Sequence, residues 1–368
     1  MNGFHGIIFA YSAEPELREL SRRRTAASLP FCGRYRIIDF ALSSMSNSGI
    51  RDVGVIMQRD YQSLLDHMGS GKAWDLSRKN GGLRMLPPFG LPEYHKGNYT
   101  GTIEALNAVS GYVQDIQQDN VVLMLGNIVA NIDLQAVMRR HISSGASVTA
   151  ICTAYRAEGC RLRYVAEEDG RVSSVRFAPD GEGVSSLECY IIKKDVLLGM
   201  MDGCREKNQH FFHLDAISRF LAEGGDMDVY LHPGYAKIIR TVDSYYAANM
   251  DMLCAENRGQ LFPAERPVRT RSHEEVSTYY GESAYSRNSL VADNCIIKGS
   301  VENSIISSGV HIGKGACVRN SIIMRGCTVG EGTELTNVIS DKRCVFSPGM
   351  TLTGSPRLPI VIPKASEI

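Results

Sequence analysis

Short, nearly unbroken apolar runs recur along the first two-thirds of the chain, at 6–10, 52–57, 120–126, 147–154 and 189–192. Val, Ile and Leu dominate them, and runs of that length predict strands covered on both faces, as in a mainly parallel sheet. Between them, 61–68, 102–117 and 134–143 space their apolar positions for helices, and a closing helix is predicted over 244–255. Strand and helix alternate, which predicts an α/β domain with a doubly wound, Rossmann-like sheet over residues 1–255.

From 256 to 287 the texture changes to Pro, Arg, Ser, Glu and Tyr without period, and this stretch reads as a linker. Over 288–368 the period becomes six. Ile306, Ile312 and Val318 are six apart; after a five-residue step, Ile323, Val329 and Leu335 are six apart again. Small residues recur between them at Gly309, Gly313, Gly315, Ala316, Gly326, Gly330 and Gly332. An aliphatic residue every six with small neighbours predicts a parallel β-helix, each coil stacked on the last. A meander of short antiparallel strands is the alternative. The ends and flanks of β-helices are common association surfaces, so an oligomer is expected.

The loop after the first strand is the first chemical clue. A nucleotide-binding α/β domain cradles phosphates there, using glycines so that backbone N–H groups approach the anion. This chain has Tyr11-Ser12-Ala13-Glu14-Pro15-Glu16 instead, and two carboxylates there repel a triphosphate. Charge adds little: 40 basic residues balance 40 acidic ones in 368, so neither nucleic acid nor an anionic membrane is expected as a partner. Ten cysteines occur without a C-x-x-C pair, which predicts reduced thiols and a cytoplasmic protein. No basic segment leads into a long apolar one at the N-terminus, and no apolar run approaches ~18 residues, so neither secretion nor membrane spanning is expected.

Several ordered strings carry a specific resemblance. Pro30-Phe31-Cys32-Gly33-Arg34-Tyr35-Arg36-Ile37-Ile38-Asp39-Phe40-Ala41-Leu42-Ser43 resembles the P-F-G-G-K-Y-R-I-I-D-F-x-L-S stretch of the ADP-glucose pyrophosphorylase (glucose-1-phosphate adenylyltransferase) family. Asn47-Ser48-Gly49-Ile50, Trp74-Asp75-Leu76, Gly81-Gly82, Leu86-Pro87-Pro88, Ala247-Ala248-Asn249-Met250-Asp251 and Val301-Glu302-Asn303-Ser304-Ile305-Ile306 continue it almost end to end. The resemblance implies a nucleotidyltransferase domain followed by a left-handed parallel β-helix. The family's reaction is attack by the phosphate of glucose 1-phosphate on the α-phosphorus of ATP, releasing pyrophosphate. The protein's part is to position anions, neutralise their charge and hold Mg²⁺.

Aligned on that family, the catalytic positions are degenerate. The glycines of its G-G-x-G-x-R-L loop fall on Tyr11, Ser12 and Glu14, and its arginine on Glu16. The lysine of R-A-K-P becomes Ala26, and the metal-holding Asp of G-D-H-I becomes Asn127, a poor Mg²⁺ ligand. The second metal Asp, in W-R-D-V-G-T, becomes Ile238. In the sugar-phosphate site V-E-K-P becomes Arg176-Phe177-Ala178-Pro179, and a substrate-side glycine becomes Glu188. Each lost charged hydrogen bond to phosphate is worth roughly 1.5–3 kcal/mol, so the concentrated loss predicts no catalysis and no cofactor for this chain, Mg²⁺ belonging to a catalytic partner.

Other family positions persist. Arg23, Arg24 and Arg36 match the sugar-phosphate effector site, to which Lys364 adds a cation, although such arginines are also often solvated or paired with local carboxylates such as Glu19 and Asp39. Gln58, Tyr99, Gly101 and Thr102 match a residual nucleotide pocket, or serve as framework. A fold kept while its catalytic set is lost resembles the non-catalytic, GlgD-type regulatory subunit that works with a catalytic GlgC-type homologue. The resemblance therefore implies a heterotetramer in glycogen biosynthesis, an allosteric role, a sugar-phosphate effector and a homo-oligomer when alone. A weakly active adenylyltransferase and a stand-alone sugar-phosphate sensor are the alternatives.

Overall fold

Nine strands form one mixed sheet in the first of two units of the computed structural model, which describes residues 3–11, 14–58, 60–87, 99, 101–154, 160–167, 170–178, 181–272 and 275–368. This unit comprises Met1–Ser12, Ile38–Ile238 and Pro263–Arg269. Its strands are β1 (Phe4–Phe9), β2 (Asp52–Ile56), β3 (Gly82–Leu86), β4 (Asn120–Leu125), β5 (Val148–Thr153), β6 (Arg163–Ala166), β7 (Val172–Arg176), β8 (Val184–Lys193) and β9 (Met227–Leu231). They run β7-β6-β8-β4-β1-β2-β3, with β5 pairing both β8 and β9.

The strands around β1 are parallel, with Ile7 opposite Gly54 on one side and Leu123 on the other. Their side chains are buried on both faces, as unbroken apolar runs require. The sheet nevertheless changes direction at β8, which is antiparallel to β4, β5 and β6. Strand existence follows from apolar runs, but direction depends on the connections, so the mainly parallel expectation holds for β1–β4 and not for β8.

The helix predicted over 102–117 is two pieces, Thr102–Ala108 and Ser110–Gln114, separated at Val109, whose φ of −114° and ψ of 26° leave the helical region. Residues 263–269 strap this unit: the Arg269 carbonyl accepts from Trp74 Nε1 at 3.1 Å, and the Arg266 carbonyl from Asn131 Nδ2 at 2.8 Å. Trp74, the chain's one tryptophan, is fully buried there.

The second unit comprises Ala13–Ile37, Ile239–Phe262 and Thr270–Ile368. Three five-stranded parallel sheets build its β-helix. The first coil already forms at Tyr279–Tyr280 and Tyr285–Arg287, and the last strand is Ile360–Ile362. The six-residue spacing advances the chain by one face, so Ile306, Ile312 and Val318 point into the same core from three different sheets. One corner is a column of asparagines, Asn288, Asn303, Asn320 and Asn337, all with φ between 44° and 52°. Asn tolerates that left-handed turn better than other residues with a Cβ, and Asn288 Nδ2 donates to Asn303 Oδ1 at 2.8 Å.

The helix Val242–Asp251 opens on a capping box in which Thr241 Oγ1 accepts from the Ser244 amide at 2.9 Å. It stops earlier than the predicted 255, and a second helix runs from Ala255 to Leu261. Tyr245 donates to the Pro30 carbonyl, Tyr246 to the Asn320 carbonyl, and Asn249 Oδ1 accepts from the Cys32 amide. These bonds fasten the hairpin of Pro30–Phe31 and Tyr35–Arg36 and the asparagine corner to one helix. Among the described residues no helix is long and apolar enough to cross a membrane, and none of the ten cysteines is in a disulfide.

Candidate functional site

The mouth of the parallel strands holds the first group of candidate residues. Tyr11 lies two residues beyond the end of β1, and its ring meets Phe9 edge-on at 6.0 Å and Tyr99 at 5.4 Å. Its hydroxyl donates to Thr102 Oγ1 at 3.3 Å. Burial, then the charges of Glu188 and Glu104, push the phenol well above its usual pKa, so it stays neutral. Gln58, just past β2, is buried. Gly101 is held by close approach: a Cβ there would sit 2.2 Å from the His210 carbonyl, which accepts from the Ile103 amide at 3.1 Å. Tyr99, Gly101 and Thr102 thus cluster with Tyr11. Ser12 lies outside the described residues.

The two positions aligned with the family's metal ligands come together. Strand Ile128–Ala130 pairs antiparallel with Ala236–Ile238, and Ile238 stands opposite Ile128, the residue after Asn127. Both Asn127 and Ile238 are buried. One neutral amide beside an aliphatic side chain is a donor set that does not fit a divalent cation, which wants several anionic or carbonyl oxygens. Among the described residues no three His, Cys, Asp or Glu gather as a metal group.

Glu188 occupies a bulge where β8 slips its register against β5 between Ser186 and Cys189. Its φ of 52° is left-handed, a conformation costly for a residue with a Cβ. The carboxylate is buried, with Oε2 3.3 Å from His213 Nε2. His213 Nδ1 lies 3.1 Å from the Tyr190 hydroxyl, which meets the Tyr164 hydroxyl at 2.8 Å. This polar chain inside an aromatic setting was only partly visible in sequence, through Glu188. Ala178 is half-buried just beyond β7, while Arg176 faces outward toward Glu182 at 3.4 Å. No hydrogen bond or ring contact draws Ala178 to the group around Tyr11.

In the second unit the loop carboxylates diverge. Glu14 is buried and paired with Arg240, Oε1 to Nη1 at 3.0 Å, while Glu16 is exposed. Ala26 is fully buried in the short turn Ala26–Ser28. Arg24 is buried too: Nε donates to the Leu20 carbonyl at 2.8 Å and Nη2 to Asp341 Oδ2 at 2.5 Å. Its carboxylate thus comes from the β-helix, from neither Glu19 nor Asp39.

Lys342 next to Asp341 is the cation that sequence reasoning missed. Burial, and then the charges of Arg36 and Arg24, pull its pKa down from 10.5 to about 7, with Lys364 adding to the effect. Lys342 therefore sits among Arg24, Arg36 and Lys364. Arg23 is exposed. The only signal was the Asp341-Lys342-Arg343 run interrupting the aliphatic repeat.

A nine-stranded α/β sheet followed by hexapeptide coils defines a nucleotidyltransferase scaffold carrying a β-helix. Residues 6–254 match the nucleotidyl transferase family and residues 274–357 the C-terminal hexapeptide region of GlmU-like proteins. Glycogen biosynthesis protein GlgD of Bacillus subtilis (strain 168) is 32% identical over 316 residues, covering 85% of this chain and 82% of that protein. GlgD of Geobacillus stearothermophilus is 35% identical, covering 86% and 83% respectively. Glucose-1-phosphate adenylyltransferase of Geobacillus stearothermophilus is 33% identical, covering 85% and 82%. The chain belongs to the glucose-1-phosphate adenylyltransferase family, with a left-handed β-helix as its second part. The identities to GlgD and to the adenylyltransferase are too close to separate the two, so the site residues must.

Proposed function

We propose that this chain is a non-catalytic regulatory subunit of ADP-glucose pyrophosphorylase in bacterial glycogen biosynthesis, acting on a catalytic GlgC-type homologue in a cytoplasmic heterotetramer. The observation that carries the reading is the pairing of Ile238 opposite Ile128 beside Asn127, which leaves the family's metal position without a carboxylate. Transfer of an adenylyl group needs that cation to neutralise the triphosphate. The Tyr11 ring and its bond to Thr102 support the same reading, because the chain's own side chain fills the space beside the residual nucleotide pocket.

The regulatory part rests on the cation group of Arg24, Arg36, Lys342 and Lys364. A sugar phosphate fits such a group, its phosphate taking the place of bulk counterions and raising the protonated fraction of Lys342. The chain then favours the partner's active conformation by differential contact with its two states. A stand-alone sugar-phosphate sensor uses the same cations without a partner.

The test is assay of the chain alone, of the homologue alone and of the two mixed across subunit ratios. Expected is no Mg²⁺-dependent ADP-glucose synthesis by the chain alone, and a changed kcat or effector response in the mixture. Turnover by the chain alone comparable to the homologue's would overturn the proposal. Phosphate binding without any co-purifying complex would select the sensor.

A further inference from the structure

Cys327 and Cys344 stand one above the other on adjacent coils of the β-helix. Each precedes an in-register strand, Thr328 pairing with Val345 in a parallel ladder, and the two cysteines are 17 residues apart. Neighbouring strands in such a ladder lie about 4.8 Å apart, inside the Cα separation of about 4.4–6.8 Å that a disulfide spans. Both side chains are fully buried. Both thiols also donate to one acceptor, the Asp341 carbonyl oxygen, at 2.9 Å from Cys327 Sγ and 3.1 Å from Cys344 Sγ. The Cys344 amide points at Cys327 Sγ from 3.4 Å. The two sulfurs are thus gathered on one oxygen and carried by directly stacked residues.

Cys295 provides the contrast. It belongs to the same column, but Val310 follows it there, and its thiol donates instead to the Ser307 carbonyl at 3.2 Å. Cysteine content alone therefore does not make the pair; the register does.

We propose that Cys327 and Cys344 are a peroxide-responsive site that closes to an intramolecular disulfide and ties the last two coils together. The Cys344 sulfur attacks one oxygen of hydrogen peroxide as thiolate, breaking the O–O bond; the released hydroxide takes up the thiol proton as water. Cys344 is then a sulfenic acid. The Cys327 sulfur attacks that sulfur, the S–S bond forms, and the departing hydroxide takes the Cys327 proton as a second water. Two thiols and one peroxide become one disulfide and two waters. The two thiols titrate as a pair, and hydrogen bonding between them lowers the Cys344 thiol, so Cys344 serves as the attacking sulfur. Access comes by local opening of Ile360–Ile362, the outermost strand of its sheet, next to Pro363, whose carbonyl accepts from Cys344 Sγ at 3.1 Å.

The consequence reaches the cation group. Oxidation removes both S–H donors from the Asp341 carbonyl, and the side chain of that residue holds Arg24.

The experiment uses the full chain with Cys254→Ser, which removes the exposed thiol. The reduced protein is treated with hydrogen peroxide, denatured in iodoacetamide and mapped without reduction. Expected are the loss of two alkylatable thiols per chain, a tryptic cross-link joining the Cys327 and Cys344 peptides, and recovery of both thiols with dithiothreitol. The unfolding midpoint should rise by a few degrees on oxidation, and Cys327→Ser and Cys344→Ser should each abolish that rise. Full alkylation of both cysteines after treatment, sulfinic acid at Cys344 without a cross-link, or a cross-link only between chains would each overturn the proposal. The mapping is done on a chain that keeps both cysteines, so misfolding of either serine variant leaves it decisive.

Discussion

Arg24 and Asp341 form a buried ion pair, Nη2 to Oδ2 at 2.5 Å, between residues 317 positions apart in sequence. Both side chains are more than nine-tenths buried. Asp341 Oδ1 also accepts from the Lys342 amide at 2.7 Å, so the carboxylate is fixed from two sides. Removing one partner leaves the other charge buried and unpaired. Asp341→Asn should therefore cost about 3–5 kcal/mol in denaturant unfolding, and Arg24→Met paired with Asp341→Leu should cost much less than the two single changes added together.

Lys342 sets a pH dependence of the opposite kind to a stabilising lysine. Its folded pKa of about 7 lies below 10.5, so between those values the unfolded chain binds more protons than the folded one. Stability should therefore rise as pH climbs from about 7 toward 10.5. Chemical denaturation across that range reads the slope, and Lys342→Met should flatten it. Binding of inorganic phosphate should show proton uptake near pH 7, seen calorimetrically as a dependence on buffer ionisation heat, and Lys342→Met should remove that too.

Histidines add a second window. Burial holds His5, His141 and His232 at pKa values of about 4, down from 6.5. The unfolded state takes up protons first, so stability should fall as pH drops from 6.5 to 4. His141 lies between Thr149 Oγ1 at 2.8 Å and Asn120 Oδ1 at 3.2 Å. His141→Gln should make the acid transition shallower, measured by the pH dependence of the urea midpoint.

Asn127→Asp together with Ile238→Asp should create divalent cation binding, read directly with Mn²⁺ by electron paramagnetic resonance. Without the metal the double variant should be less stable by about 2–5 kcal/mol, since Ile238 is fully buried. On the proposed reading the double variant should make no ADP-glucose, because Glu16 and Ala26 supply no cation for a phosphate.

Much of this was legible in the residues, for physical reasons. Ile306, Ile312 and Val318 announced the β-helix because one core position recurs per face, and that is a local property of the chain. The strand at 189–192 was legible as a strand, yet its direction was not, because direction is decided by the segments that join it to β5 and β6. Arg24 and Arg36 were visible as a basic group. Lys342 and Asp341 were not, since only folding brings positions some three hundred residues apart into one site. The asparagine corner escaped because Asn288, Asn303, Asn320 and Asn337 read as ordinary polar loop residues until their left-handed φ values explain them.

The ladder that sets Ile238 opposite Ile128, beside Asn127, also ties the two positions to each other. A single aspartate at either position places a carboxylate in a buried setting with too few ligands to hold a cation, and so it costs stability. Only both changes at once supply a metal ligand pair. The two positions are therefore coupled through one ladder, so a carboxylate at either is tolerated only when the other changes with it.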